Sequence, residues 1–138
     1  RMAEGYLEEA ASKRRIAEYA LKNGMHASSF RLAQEAVELA LKGSLRLVGV
    51  EYPKEHDVSM VLAKEAERFP DAFKKRLPRL QETSTWLARH RGPALCGDEE
   101  SGIPPGELFS LKASREALKR AIEALDLVRG LLPQGPQD

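Results

Sequence analysis

Residues 28–49 read SSFRLAQEAVELALKGSLRLVG, and this stretch indicates the fold class of the whole chain. Apolar and small residues recur in it at steps of three and four, which is the pattern of one face of a long α-helix. Because small side chains allow a neighbouring helix to approach closely, we expect the other helices to pack around this one. The residues of that face are Phe30, Ala33, Val37, Ala40, Leu41, Ser44, Leu45 and Val48.

The same periodicity predicts helices along most of the chain, so the fold class is all-α. Capping residues and helix breakers set the boundaries of these helices. The predicted helices are residues 2–22, a second from Ser28 or Ser29 to Gly49, a third from His56 or Asp57 to Phe69–Pro70, a fourth from Asp71 to about Arg89 that Pro78 kinks or breaks, and a last from Leu111 to Gly130.

Length and composition narrow the class of protein. The 138 residues suit one domain, which we place at residues 1–132 with a disordered tail at 133–138. The net charge of +1 offers no global field for nucleic acid, so such a site would have to be a local patch. A single cysteine, Cys96, excludes an internal disulfide and fits a reducing cytosol. No apolar run approaches a membrane span and no signal peptide is visible, so we expect a cytoplasmic protein.

Residues 91–109 interrupt the helical pattern with four glycines and three prolines. A loop of this length is uncommon in a compact domain and is usually functional or disordered. Arg89, His90 and Arg91 stand where the preceding helix runs into it. Because arginine forks match phosphate oxygens, we take these three residues as a candidate phosphate or nucleotide patch, with His56 as a second polar contact. The structural alternatives are cations that favour a helix C-terminus and a histidine bonded at a helix start.

Motifs for metal or cofactor chemistry are absent. The chain has no GxxxxGK[ST] phosphate loop and no HExxH zinc motif. His56–Asp57 is similar to the His-Asp pair of metal phosphohydrolases, but His26 and His90 do not supply the further ligands that such a site needs. We therefore predict no metal, no cofactor and no catalytic residue.

Three stretches, taken in order and spacing, carry a family resemblance. The first is AQEAVELALK at residues 33–42, and the second is the connector PKEHD at 53–57. The third runs from WLARHR at 86–91 through Pro93, Gly97, Asp98, Pro105 and Phe109 into an Ala-rich last helix. Together they resemble the HEPN domain (higher eukaryotes and prokaryotes nucleotide-binding), and the resemblance spans most of the chain.

The resemblance implies an antiparallel up-and-down bundle of about five helices, four long and one short or kinked, and a homodimer built on long helices. One branch of this family is ribonuclease-like and carries Arg, four to six residues, then His. No histidine of this chain has an arginine at that spacing; Arg79 is eleven residues before His90. Relatives often place tyrosine in the loop where Cys96 stands, so a ring contact is missing there.

The resemblance therefore favours the other branch, whose members serve as the substrate-binding partner of a minimal nucleotidyltransferase. The expected function is non-enzymatic binding of a nucleotide or RNA end beside such a partner. One alternative is a ribonuclease toxin of a toxin–antitoxin pair with a displaced catalytic pair. Another alternative is a module that only forms protein–protein contacts.

Overall fold

The computed structural model describes residues 2–51, 57–96, 102 and 111–133, with the backbone alone at 91–96. This part of the chain contains helices and no strand. Four helices are long and two are short, which confirms the predicted helical bundle. The helices are α1 (Met2–Lys22), α2 (His26–Leu47), α3 (Val58–Lys64), α4 (Asp71–Lys74), α5 (Leu77–Cys96) and α6 (Leu111–Arg129), with a 3-10 turn at Ala66–Arg68 between α3 and α4.

Helix α2 lies at the centre of the bundle, as its sequence predicts. It packs along α1 over most of its length and also contacts α6, α5 and α3. Its small residues make the close approaches, since a Cβ added at Gly43 would lie 3.2 Å from Leu7 Cδ2 and 3.4 Å from the Ala3 carbonyl oxygen of α1. The α1–α2 contact therefore depends on the absence of a side chain at Gly43.

The core is aliphatic and continuous through the bundle. Helix α6 buries one stripe against α1 and α2, while α5 buries Leu80 and Leu87 against α2 and α3. The largest fully buried apolar side chains are Phe30, Val37, Leu41, Leu45, Leu62, Leu80, Leu87 and Val128.

Several helix boundaries differ from those that the sequence predicts. Helix α2 begins at His26, two residues before Ser28, and Met25 occupies its N-cap position without a side-chain cap. The predicted serine cap is wrong because Ser29 is buried and its hydroxyl donates to the Ala17 carbonyl oxygen of α1 at 2.7 Å. Helix α3 ends at Lys64, earlier than Phe69–Pro70, and the 3-10 turn follows it.

The segment around Pro78 breaks into two helices, as predicted. Helix α4 ends at Lys74, and Pro78 lies in the first turn of α5, where its missing N–H costs little. Helix α5 continues past Arg89 through Gly92 and Pro93 to Cys96, so the predicted loop does not begin at residue 91. The rest of that loop, apart from Gly102, and the predicted tail at 134–138 lie outside the described residues.

Across the described ranges, we find no helix that is long and apolar enough to cross a membrane.

Candidate functional site

A groove opens between α2, the start of α3 and the second half of α5. Its volume is about 220 Å³. Its floor is apolar and its rim is polar, so it offers both contact area and hydrogen-bonding groups. The lining residues are Gln34, Val37, Glu38, Asp57, Val58, Ser84, Leu87 and Ala88. We call this the α2–α5 groove.

The α2–α5 groove brings together two stretches that are distant in the sequence. Asp57 ends the connector of residues 53–57, and Ala88 precedes the Arg89–Arg91 cluster by one residue. Asp57 is held in place as the N-cap of α3, because its Oδ1 accepts hydrogen bonds from the backbone N–H and the hydroxyl of Ser59, both at 2.9 Å. This confirms Asp57 as the cap of α3, whose first helical residue is Val58.

Arg89 and His90 have different surroundings on α5. The Arg89 side chain is exposed, so its guanidinium is accessible from solvent. His90 is half-buried, and its Nδ1 lies 2.8 Å from the Trp86 carbonyl oxygen. Because a carbonyl oxygen only accepts, the proton of this hydrogen bond lies on Nδ1. Only Arg89 of this pair is therefore placed as an open phosphate ligand.

The His90 ring also belongs to an aromatic cluster. Its centroid lies 4.8 Å from that of Trp86 and 6.5 Å from that of Phe30, and the Trp86 and Phe30 centroids are 5.7 Å apart. Trp86 is partly buried and packs against the core. The cluster fixes the orientation of α5 over α2 just before the basic residues. His90 therefore has a structural role in the fold.

The structure does not describe the other two residues of the predicted patch at side-chain level. His56 lies outside the described residues, and the backbone of Arg91 is helical without a described side chain. The described patch thus consists of Arg89 and His90.

A second polar cluster joins α5 to α6, and the sequence reasoning missed it. Its centre is Arg120, which is only 8% exposed. Its Nε donates to Glu116 Oε2 at 2.9 Å, and its Nη1 donates to Glu82 Oε2 and, at 3.2 Å, to Thr83 Oγ1. Its guanidinium carbon also lies 4.7 Å from the Trp86 ring centroid, a cation–π contact.

Arg79 extends this cluster toward the start of α5. Its Nε donates to Glu123 Oε1 of α6 at 2.7 Å, and its Nη1 donates to Glu82 Oε2 at 3.4 Å. We call the five residues Arg79, Glu82, Glu116, Arg120 and Glu123 the α5–α6 cluster. Through Trp86, this cluster supports the ring of His90, so it lies directly behind the candidate patch.

The cluster shifts the protonation of its own members. The hydrogen bond from Arg120 holds the pKa of Glu82 below its ordinary value of 4.5, while slight burial opposes this shift and the charges of Arg79 and Arg89 assist it. Burial alone would lower the pKa of Arg120, but its hydrogen bonds with Glu82 and Glu116 raise that pKa instead. Both groups are therefore charged at neutral pH.

One signal in the sequence could have revealed Arg120. It lies three residues after Ala117 and four before Ala124, which are both fully buried, so it stands on the apolar face of α6. A buried arginine needs carboxylate partners, and those are usually supplied by a neighbouring helix.

The described residues contain no group of three or more His, Cys, Asp or Glu side chains that could hold a metal ion. With the groove, Arg89 and the aromatic cluster, the arrangement is suited to binding a ligand that has a polar or ring-shaped body and an anionic group.

The molecule is an all-helical bundle with a small polar groove at the junction of its central helix and α5. The family model of the HEPN domain matches residues 3–131, and the chain belongs to that family.

Two solved structures share the fold over nearly their whole length. The crystal structure of TT1696 from Thermus thermophilus is 27% identical, with a TM-score of 0.73 over 94% of this chain and 98% of that chain. ST0689, described as an archaeal HEPN homologue, is 23% identical, with a TM-score of 0.66 over 94% of this chain and 97% of that chain. At that identity, the likeness to ST0689 shows the fold alone. No curated protein matches the chain.

Proposed function

We propose that this HEPN domain binds a nucleotide or an RNA end without cleaving it, beside a separate minimal nucleotidyltransferase. The observation that carries the proposal is the α2–α5 groove, where Asp57, at the end of the connector, lies close to the second half of α5. The exposed Arg89 follows the last lining residue of that helix, Ala88. The two stretches lie about thirty residues apart in the chain, and both belong to the resemblance on which the sequence prediction rests.

The polar groups around the groove suit a ligand that has an uncharged sugar or base at one end and a phosphate at the other. Glu38 and Asp57 are acidic and would repel a phosphate, but their oxygens accept hydrogen bonds from ribose hydroxyls or base amino groups. Arg89 is exposed and directly follows the lining residue Ala88 in the chain, and its fork suits phosphate oxygens. We therefore place the sugar or base in the groove and the phosphate outside it, toward Arg89.

One feature supports a role without catalysis. The sequence lacks the Arg-to-His spacing of the ribonuclease branch.

The binding half of the proposal is tested with fluorescent ATP and a short single-stranded RNA at low salt, where phosphate contacts are strongest. Arg89→Ala should weaken binding about tenfold, since one hydrogen bond to a charged group contributes roughly 1.5–3 kcal/mol. The matched control is Arg76→Ala, an exposed arginine just before the opposite end of α5, which should leave affinity unchanged. Equal affinity of wild type and Arg89→Ala would contradict the proposed patch.

The same RNA, analysed for degradation, tests the absence of catalysis. Intact RNA is expected, whereas cleavage that disappears in His90→Ala would establish the ribonuclease alternative. Affinity purification of the tagged protein from its native host tests the partner. A nucleotidyltransferase recovered in equal amount is expected, and recovery of the protein alone would contradict the partner half of the proposal.

A further inference from the structure

Arg89, the cation assigned to the phosphate of the ligand, shares one face of α5 with a carboxylate. Glu82, Trp86 and Arg89 follow one another at steps of four and three, so their side chains leave the helix on the same side. Two helical turns, about 11 Å, separate Glu82 from Arg89 along the helix. Both side chains are exposed and long, so an ion pair between them is within their reach.

The Glu82 carboxylate is bound instead to two other arginines. It accepts hydrogen bonds from Nη1 and, at 3.3 Å, from Nη2 of Arg120, and Arg79 Nη1 donates to it at 3.4 Å. The hydrogen bond from Arg120 is the main cause of the low pKa of Glu82, and the charge of Arg89 adds to it. Within the described part of the chain, Arg89 itself makes no ion pair. Arg89 therefore attracts the Glu82 carboxylate without binding it.

Arg120 is fixed in place between α5 and α6. It is 8% exposed, its Nε donates to Glu116 and its Nη1 also donates to Thr83. Its guanidinium carbon lies 4.7 Å from the centroid of the Trp86 ring. Because an almost buried guanidinium needs its carboxylate partners, Arg120 holds Glu82 more firmly than an exposed cation would. The position of Glu82 is thus set by a residue that lies behind the ligand patch.

We propose that Arg120 is a positioning residue for the phosphate contact, because it keeps Glu82 on the α6 side of α5 and leaves Arg89 open. This inference rests on the function proposed for the groove. With Glu82 held by Arg120, a phosphate group displaces only water from the guanidinium of Arg89. Without that hold, Glu82 is the nearest carboxylate on the same face of α5 and occupies Arg89 as an intramolecular counterion.

The test is a double-mutant cycle on Arg120→Gln and Glu82→Gln, measured as the affinity for fluorescent ATP at low salt. Arg120→Gln should weaken binding about threefold, because an exposed ion pair of modest strength then competes for Arg89. In a protein that already carries Glu82→Gln, the same Arg120→Gln should leave the affinity unchanged, since no carboxylate is released. A purely structural role of Arg120 would not give this rescue.

Two further variants make the cycle specific. Glu116 also bonds to Arg120 but stands on α6, so Glu116→Gln combined with Arg120→Gln should leave the threefold loss in place. Arg79→Gln keeps the buried Arg120 and removes the weaker hold on Glu82, so it should reduce affinity in the same direction and by less. If Arg120→Gln does not fold, the cycle of Arg79→Gln with Glu82→Gln decides the proposal.

A measurement without ligand gives the position of Glu82 directly. The pKa of the Glu82 carboxyl group is followed by NMR titration, with and without Arg89→Gln. Arg89→Gln should raise this pKa more in the Arg120→Gln protein than in wild type, because Arg89 has become the direct partner of Glu82 there.

The outcomes separate this proposal from the proposed function. A wild-type protein that binds neither ATP nor RNA would overturn the binding function and the positioning role with it. Normal binding by wild type, together with equal affinity of Arg120→Gln, would overturn the positioning role alone. A loss that Glu82→Gln does not reverse, or an equal effect of Arg89→Gln on the Glu82 pKa in both proteins, would do the same.

Discussion

Ser29 shows how one hydroxyl fixes the start of the central helix. It is fully buried and donates to the Ala17 carbonyl oxygen across the α1–α2 contact. Ser29→Ala should lower the free energy of unfolding by about 1 kcal/mol, the usual net value of a neutral hydrogen bond. The measurement is chemical denaturation at low protein concentration.

Ser28→Ala is the matched control, since Ser28 is the exposed neighbour of Ser29 on the same helix. It should change stability by less than about 0.5 kcal/mol, as surface substitutions usually do. A larger loss for Ser28→Ala than for Ser29→Ala would show that a serine cap matters more than the tie to Ala17. That result would contradict the hydrogen bond described here.

The residue scale also shows where sequence reasoning reached its limit. Asp57 was identified correctly as a cap because capping depends on neighbours two residues away. The contacts of Ser29 and Arg120 were not predicted, because their partners Ala17 and Glu82 lie 12 and 38 residues away in the chain. From the sequence alone, a serine hydroxyl or an arginine guanidinium is expected on the surface, and only the neighbouring helix shows that it is buried and bonded.

At the scale of elements, Gly43 sets the distance between α1 and α2. Gly43→Leu should destabilise the protein by about 1–3 kcal/mol. The Cβ of the new side chain would lie only 3.2 Å from Leu7 Cδ2, so the side chain would push the two helices apart. Gly5→Leu is the matched control on α1, where the same substitution meets open space. Denaturation of both variants at low concentration gives the comparison, and equal stability of the two would contradict the close contact.

The helices themselves were more predictable than their ends. The first and last helices agree with the predicted boundaries to within one residue, since a regular apolar stripe and a glycine at the end define each of them. Helix α5 runs seven residues beyond Arg89, through Gly92 and Pro93. A proline inside a helix removes one backbone hydrogen bond and crowds the carbonyl four residues before it, so the sequence predicts an end where the helix in fact continues. Glycine and proline weaken such a turn without stopping it.

For the whole molecule, the bundle follows from local patterns but the site does not. The small residues of α2 predict its central place. The α2–α5 groove, in contrast, forms only because α3 packs against α5 in the folded chain. Sequence could name Arg89 and His90 as a pair, but only the fold shows that one is exposed and the other is packed among rings.

The stability of the whole bundle should depend on pH through the α5–α6 cluster. Helix α5 packs mainly on α2 and meets α6 largely through Arg79, Glu82 and Arg120. Because the pKa of Glu82 is lower in the folded state than its ordinary value of 4.5, the unfolded chain takes up the proton more readily on acidification. The contribution of Glu82 is therefore complete above pH 4.5 and is lost as pH falls through the folded pKa.

Glu82→Gln and Arg120→Gln test this linkage by removing the titrating group and its partner in turn. Each should lower Tm at pH 7, and the difference from wild type should shrink as pH falls below 4.5, because protonation removes the same interaction in wild type. Lys119→Gln, an exposed neighbour of Arg120, should follow the wild-type Tm at every pH. A Tm difference for Glu82→Gln that stays constant from neutral to acidic pH would mean that the Glu82–Arg120 contact does not join α5 to α6 in solution.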